Sequence, residues 1–218
     1  MLRYLGKCFL KCAITVIAAA ALVFTVLYFA PEDPAGCLLA KPVIYLYPEE
    51  ETQVSVTLDG VALGTTYPKY NNGWTVLAQP DGMLTALSDG REYSYLFWEG
   101  QSDVAFDFSQ GFCVAGKDTA AFLQDVLAEM GLTAREYNEF IVYWLPLMEG
   151  NEYNLISFQG ERYTETAKLT ISPEPDSILR VFMAWKPVDR PVEVEPQEFE
   201  HFARDGFTVV EWGGAQVD

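Results

Sequence analysis

The sequence is poor in histidine, basic side chains and cysteine, and each shortage removes a class of function. His201 is the single histidine in 218 residues. A structural zinc site needs four Cys or His ligands, and no cysteine pair here has the matching spacing, so no zinc site is expected. The same shortage weakens nucleophilic catalysis: no G-x-S-x-G elbow occurs, and His201 sits in the solvated acidic stretch "EFEHFARDG". Lys and Arg number 14 against 31 Asp and Glu, a formal net charge of −17. That balance repels a phosphate polyanion, so no nucleic-acid partner is expected. Glycine patterns that cradle phosphate are also missing: "EWGG" has neither the spacing nor the following helix of a dinucleotide or nucleotide loop. There is no calcium loop of the D-x-[DN]-x-[DN]-G type, and "LDG", "PDG" and "SDG" are explained by turn chemistry. No metal and no cofactor is therefore expected. Internal repeats and low-complexity tracts are absent as well.

What is present is apolar and aromatic. Half of the residues are hydrophobic and 14% are aromatic, enough for a substantial core. The charge is divided along the chain. Arg3, Lys7 and Lys11 precede residue 12, and no acid occurs before Glu32. The part after Ala30 holds the other 11 bases and all 31 acids, a net of −20.

Residues 12–30, "CAITVIAAAALVFTVLYFA", carry no charge over 19 positions. A helix of that length rises about 28 Å, close to the hydrocarbon thickness of a bilayer. With cations before it and Glu32-Asp33 after it, the positive-inside rule places the N-terminus in the cytoplasm and the rest outside. The expectation is a short cytoplasmic segment (1–11), a transmembrane helix (12–30), a linker (31–40) and a single extracytoplasmic domain (41–214), so the partner at this end is the membrane. Two alternatives stand beside the uncleaved anchor. A cleaved signal would secrete the domain, but the run is long and "LYFAPEDPAG" is a poor cleavage context. A lipoprotein signal ending at Cys37 would place Pro34 at the usual aliphatic position. Of the four cysteines, Cys8 and Cys12 read as small apolar filler. Cys37 and Cys113 would both lie outside, where a disulfide between them is permitted.

The domain reads as strands, then a helical pair, then strands. "KPVIYLYP" (41–48) is a strand with both faces buried, and "TQVSVTL" (52–58) alternates as a half-buried one. Asp59-Gly60, Asn72-Gly73, Asp81-Gly82 and Asp89-Gly90 punctuate the following segments, each a pair suited to positive φ in a tight turn. They predict an antiparallel meander over about 41–109 that includes "REYSYLFW" (91–98) and "DVAFDF" (103–108). The period then lengthens: Phe122, Val126 and Met130 share one helical face, with Asp118 as N-cap and Gly131 as stop. Thr133 and Glu136 form a capping box for a second helix, which Pro146 should end or kink. Strands return at 153–158, 167–172, 177–185 and 207–214, with a Pro-rich acidic crossing segment at 186–206. The fold class expected is α+β and β-rich: an antiparallel meander or sandwich with a helical hairpin inserted at about 118–149.

The phrases "KPVIYLYP", "YPKYNNGW", "YSYLFWEG", "NEFIVYWLP", "PDSILRVFMAW" and "GFTVVEWGG", taken together and in this order, resemble an uncharacterised family of microbial proteins. The resemblance covers about residues 41–214. It implies one domain over that range and carries no activity or site residue.

Two functional readings follow from the residues. "YPKYNNGW" gathers Tyr67, Tyr70 and Trp74 around Asn72-Gly73, and Trp98 and Trp212 add two amphipathic aromatics near strand ends. Exposed, they would mark a surface for an envelope glycan or protein partner; buried, they would be core beside a turn. The alternative is a glycan-directed hydrolase. It needs two carboxylates facing one cleft, and "FWEG" and "VEWGG" offer Glu99 and Glu211. With no complete catalytic set, non-catalytic recognition at the cell envelope is the expectation, and no catalytic residue is assigned.

Overall fold

Strict alternation in some segments and unbroken apolar runs in others require one sheet with a single buried face and one buried on both. The structure, a computed structural model, contains both and describes residues 36–217. The anchor, the cytoplasmic segment, and Cys8 and Cys12 lie outside the described residues. Among the described residues no helix is long and apolar enough to cross a membrane.

The strands are β1 (Cys37–Tyr47), β2 (Thr52–Asp59), β3 (Ala62–Tyr67), β4 (Trp74–Ala78), β5 (Leu84–Ala86), β6 (Glu92–Tyr93), β7 (Leu96–Ser102), β8 (Phe112–Ala115), β9 (Tyr153–Gln159), β10 (Lys168–Ser172), β11 (Ser177–Val188) and β12 (Thr208–Gln216). The helices are α1 (Thr119–Glu129), α2 (Ala134–Met148) and the short α3 (Glu161–Thr166). A seven-stranded sheet runs β3-β7-β1-β12-β11-β9-β8, and a five-stranded sheet runs β10-β2-β4-β5-β6. One face of the larger sheet packs on the smaller sheet through Ile44, Leu46, Trp98, Val209 and their neighbours. Its other face carries Val43, Tyr45, Val210 and Trp212 against Phe140 and Trp144 of α2 and Leu123 and Leu127 of α1. The fold is mixed α+β and strand-rich, with three layers: sheet, sheet and helical pair.

The helical hairpin has the expected place, and two of its expected end signals are present. The capping box at Thr133 and Glu136 is present, and Gly131 ends the α1 turn at φ +102°. Asp118 caps nothing with its side chain; a 3₁₀ turn over Gly116–Asp118 leads into α1 instead. Pro146 does not end α2, which continues to Met148. In the last turn a proline forfeits one ladder bond and leaves little helix beyond it to displace.

The meander expected over 41–109 is corrected. Only β4-β5-β6 follows one another within a sheet, through Asp81-Gly82 and Asp89-Gly90. At Asp59-Gly60 and Asn72-Gly73 the chain crosses between the sheets, from β2 to β3 and from β3 to β4. All four glycines have positive φ as expected. Positive φ reverses a chain but does not choose the strand beside which it lands. Residues 103–108 are not a strand either. Val104 and Phe106 pack on the sandwich core, but the backbone N–H of Asp107 donates to the side-chain Oε1 of Gln159 (3.1 Å) rather than to a strand backbone. The start of the domain moves as well: Cys37–Ala40, placed in the linker by sequence, are strand, with Cys37 opposite Ser102 on β7.

β11 and β12 pair in parallel, so the 189–206 crossing must travel the length of the sheet. Three side chains hold it down. Gln197 accepts from the Phe158 N–H (2.7 Å) and donates to the Phe158 carbonyl (2.8 Å), doing for that residue what a further strand would. Phe199 packs edge-on to Phe158 at 5.6 Å. Arg204 meets both carboxylate oxygens of the fully buried Glu136 and donates to the Gly131 carbonyl at 3.0 Å.

Candidate functional site

The aromatics singled out by sequence are mostly internal. Trp74 is 4% exposed; its indole N–H donates to the Pro68 carbonyl at 2.8 Å. Tyr70 stands edge-on to it at 4.7 Å, with its hydroxyl on the Leu58 backbone. Residues 68–73 are therefore the cover over a buried tryptophan. Trp98 and Trp212 are fully buried, on opposite faces of the larger sheet. Only Tyr67 stands out, 60% exposed and edge-on to Tyr93 at 5.0 Å. As a binding strip the five residues do not assemble, because the large aromatics gain more from burial, Trp74 and Trp98 between the sheets and Trp212 under the helices, than from solvent exposure. A cavity of about 310 Å³ is lined by Lys69, Asn71, Gly73 and Trp74, but the tryptophan is almost wholly buried.

Glu99 and Glu211 also part company. Glu211 lies inside the sandwich at 0% exposure, paired with Arg180 Nε at 2.7 Å and accepting the Trp98 indole N–H at 3.1 Å. The Arg180 guanidinium lies over the Tyr163 ring at 4.8 Å. Burial, then the Glu211 charge, holds the Tyr163 phenol well above its ordinary pKa. Glu99 is on the helical face of β7, where its carboxylate accepts the backbone N–H of Lys41 at 3.3 Å. With the sheet between them the two carboxylates share no cleft. The disulfide is corrected too: β12, β11 and β9 separate Cys37 from Cys113. Four strand spacings amount to roughly 19 Å, against a Cα reach of about 7 Å for a disulfide. The Cys113 thiol accepts the Val192 N–H at 3.3 Å. Among the described residues no three His, Cys, Asp or Glu gather to hold a metal ion.

The residue that sequence reasoning missed is Lys41. Regular alternation from Leu39, which faces the smaller sheet, would point Lys41 into the sandwich core. Burying an unpaired ammonium there costs several kcal/mol. Instead β1 carries one extra residue against both neighbours, between Ala40 and Val43 on the β12 side and between Leu39 and Val43 on the β7 side. This bulge turns Lys41 to the helical face. Its φ is +59°, left-handed for a non-glycine residue. Gly213 opposite makes the room, since a Cβ there would meet Pro42 at 2.9 Å.

Re-aimed, the ammonium lies 5.2, 5.1 and 5.8 Å from the ring centroids of Tyr95, Phe97 and Tyr143. Each such contact contributes about 0.5–1 kcal/mol. Lys41, Ser94, Tyr95, Glu139, Val142 and Tyr143 line an open pocket of about 400 Å³ between the bulge, the β6–β7 connection and α2. Glu139 accepts the Tyr45 hydroxyl at 2.7 Å and pairs with Arg135 at 3.6 Å. Burial and then the Glu139 bond push the Tyr45 phenol up, and burial followed by the Glu99 charge does the same to Tyr143. Both phenols stay protonated near neutrality and can donate. The available signal was a lysine interrupting the apolar run "CLLAKPVIYLY" directly before a proline, inside what must be a central strand.

A third depression, of about 410 Å³, lies over Ser157 and Gln159 beside the Asp107–Arg162 pair. The Gln159 amide is already spent on both backbone groups of Asp107 and on Ser157 Oγ, so this depression has little left to offer a ligand.

No protein-family model matches the chain, and no solved structure matches it. It is similar to an uncharacterized protein in the bglA 3′ region of Butyrivibrio fibrisolvens, 48% identical over 64 residues. That match covers 28% of this chain and 65% of the relative's length.

Proposed function

We propose that the chain is a single-pass envelope protein, anchored by residues 12–30 with its N-terminus in the cytoplasm, whose β-rich domain binds a ligand without catalysis. The observation that carries this reading is Lys41: a strained left-handed backbone, a bulge in a central strand and three flanking rings present one ammonium to an open pocket. Left-handed backbone costs a non-glycine residue about 1–3 kcal/mol, and such outliers collect where function needs them. The hydrolase alternative through Glu99 and Glu211 finds no support in the geometry, since the carboxylates face opposite layers.

The test places a photo-crosslinking residue at Val142, which is 75% exposed on the pocket wall, in cells expressing the full chain. Adducts are expected, and Lys41→Gly should abolish them. Glycine relieves the left-handed strain, about 1–3 kcal/mol, which offsets the lost ring contacts of similar size, so the variant should stay folded with stability near wild type. Unchanged adducts in Lys41→Gly would sink the reading. For the orientation, Ser88→Cys should react with a membrane-impermeant maleimide in intact cells; labelling only after lysis would overturn the outward placement.

A further inference from the structure

The Lys41 pocket has more donors than its own walls can use. No ion pair engages the Lys41 ammonium among the described residues, because Glu99 is turned to the Lys41 backbone and Glu139 to Tyr45 and Arg135. The hydroxyls of Ser94, Tyr95 and Tyr143 have no hydrogen-bond partner among the described residues, although all three residues line the pocket. A cation beside hydroxyl donors matches a carboxylate, whose two oxygens offer about four acceptor positions. Charge-assisted bonds of this kind are roughly twice as strong as neutral ones.

Three features narrow the carboxylate's source. The domain's acidic balance and the nearby Glu99 and Glu139 oppose a dianion such as a phosphate monoester more than a monoanion. The faces of Tyr95, Phe97 and Tyr143 are turned to the Lys41 ammonium, so a sugar ring finds no free platform there. Val142, on the pocket wall beside Tyr143, supplies an exposed aliphatic contact. We propose that the pocket takes the free C-terminal carboxylate of a peptide, bound by Lys41 with the Tyr95 and Tyr143 hydroxyls, with a small aliphatic last side chain against Val142. This rests on the reading of the Lys41 pocket as the binding site.

Isothermal titration of the purified full chain with acetyl-Ala-Ala, acetyl-Ala-Ala-amide and galacturonic acid tests it. The free acid should bind and its amide should bind about ten- to a hundredfold more weakly, the range for lost hydrogen bonds to a charged group. Galacturonic acid should bind more weakly than the peptide acid. Lys41→Gly should abolish binding, and Tyr143→Phe, which keeps the ring and the fold, should weaken it several-fold. Equal binding of acid and amide would overturn the carboxylate, and tighter binding of galacturonic acid would overturn the peptide. Acid binding unchanged in both variants would overturn the location. Absence of acid binding overturns this ligand alone, because crosslinking from Val142 reports on the pocket whatever occupies it.

Discussion

Glu211 was a catalytic candidate by sequence and is a buried ion-pair partner in the fold, so Glu211→Leu separates the two roles. The carboxylate is fully buried and the Arg180 side chain is 8% exposed. Removing it strands the guanidinium, whose Nη2 already lacks a partner, and takes the acceptor from the Trp98 indole. Breaking a buried pair from one side costs about 3–5 kcal/mol. Against a total of about 5–15 kcal/mol for a domain, that is roughly a fifth or more of its stability. At roughly 2–4 °C per kcal/mol for a chain of this size, the melting temperature should fall by about 6–20 °C. The companion Arg180→Met/Glu211→Leu removes both charges and should recover most of the loss, since apolar replacement of a buried pair is near neutral. Urea unfolding followed by tryptophan fluorescence suits the measurement, because all five tryptophans are buried. A single variant within about 1 kcal/mol of wild type, or a double variant no more stable than the single one, would refute the argument.

Other substitutions probe separate contacts. Gly214→Ala brings a Cβ to 2.6 Å from the Met183 carbonyl and 2.7 Å from the Trp144 ring, and should cost about 1–3 kcal/mol in urea unfolding. Arg204→Ala leaves Glu136 buried and unpaired, and should cost about 3 kcal/mol while raising hydrogen exchange in residues 195–206. The Tyr93 hydroxyl bond holds the Asp89 carboxyl below its ordinary pKa, so Tyr93→Phe should move it upward in an NMR titration. The sign follows from the depressed folded value: this contribution is present above the unfolded carboxylate pKa and lost as pH falls through the folded one. Asp89 unmoved in Tyr93→Phe would reject that cause.

Local chemistry was legible where it is local. The capping box at Thr133, the stop at Gly131 and the positive φ of Gly60, Gly73, Gly82 and Gly90 depend on a few adjacent residues. Strand pairing was not legible in this way. Asn72-Gly73 and Asp81-Gly82 have equivalent turn chemistry, yet one crosses between sheets and the other closes a hairpin. What distinguishes them is which apolar faces meet, a property of residues far apart in sequence. "DVAFDF" alternates like a strand and keeps its inward Val104 and Phe106, but Gln159 takes the backbone N–H of Asp107. The short helix at Glu161–Thr166 had no periodic signal, being little more than a turn around the buried Tyr163.

By itself the sequence determined the class: a β-rich acidic domain with a helical pair at a fixed place in the chain, following an uncharged run of 19 residues. Periodicity and turn chemistry carry that information because each repeats over one or two turns of chain. Tertiary structure alone decided what lies within reach of what. It buried Trp74, put the sheet between Glu99 and Glu211 and three strands between Cys37 and Cys113, and turned Lys41 outward through a one-residue bulge. In a strand the face of a side chain depends on register, and a single added residue reverses it. That parity is set by pairing with β7 and β12, some 60 and 170 positions away, and no window of sequence around Lys41 contains it.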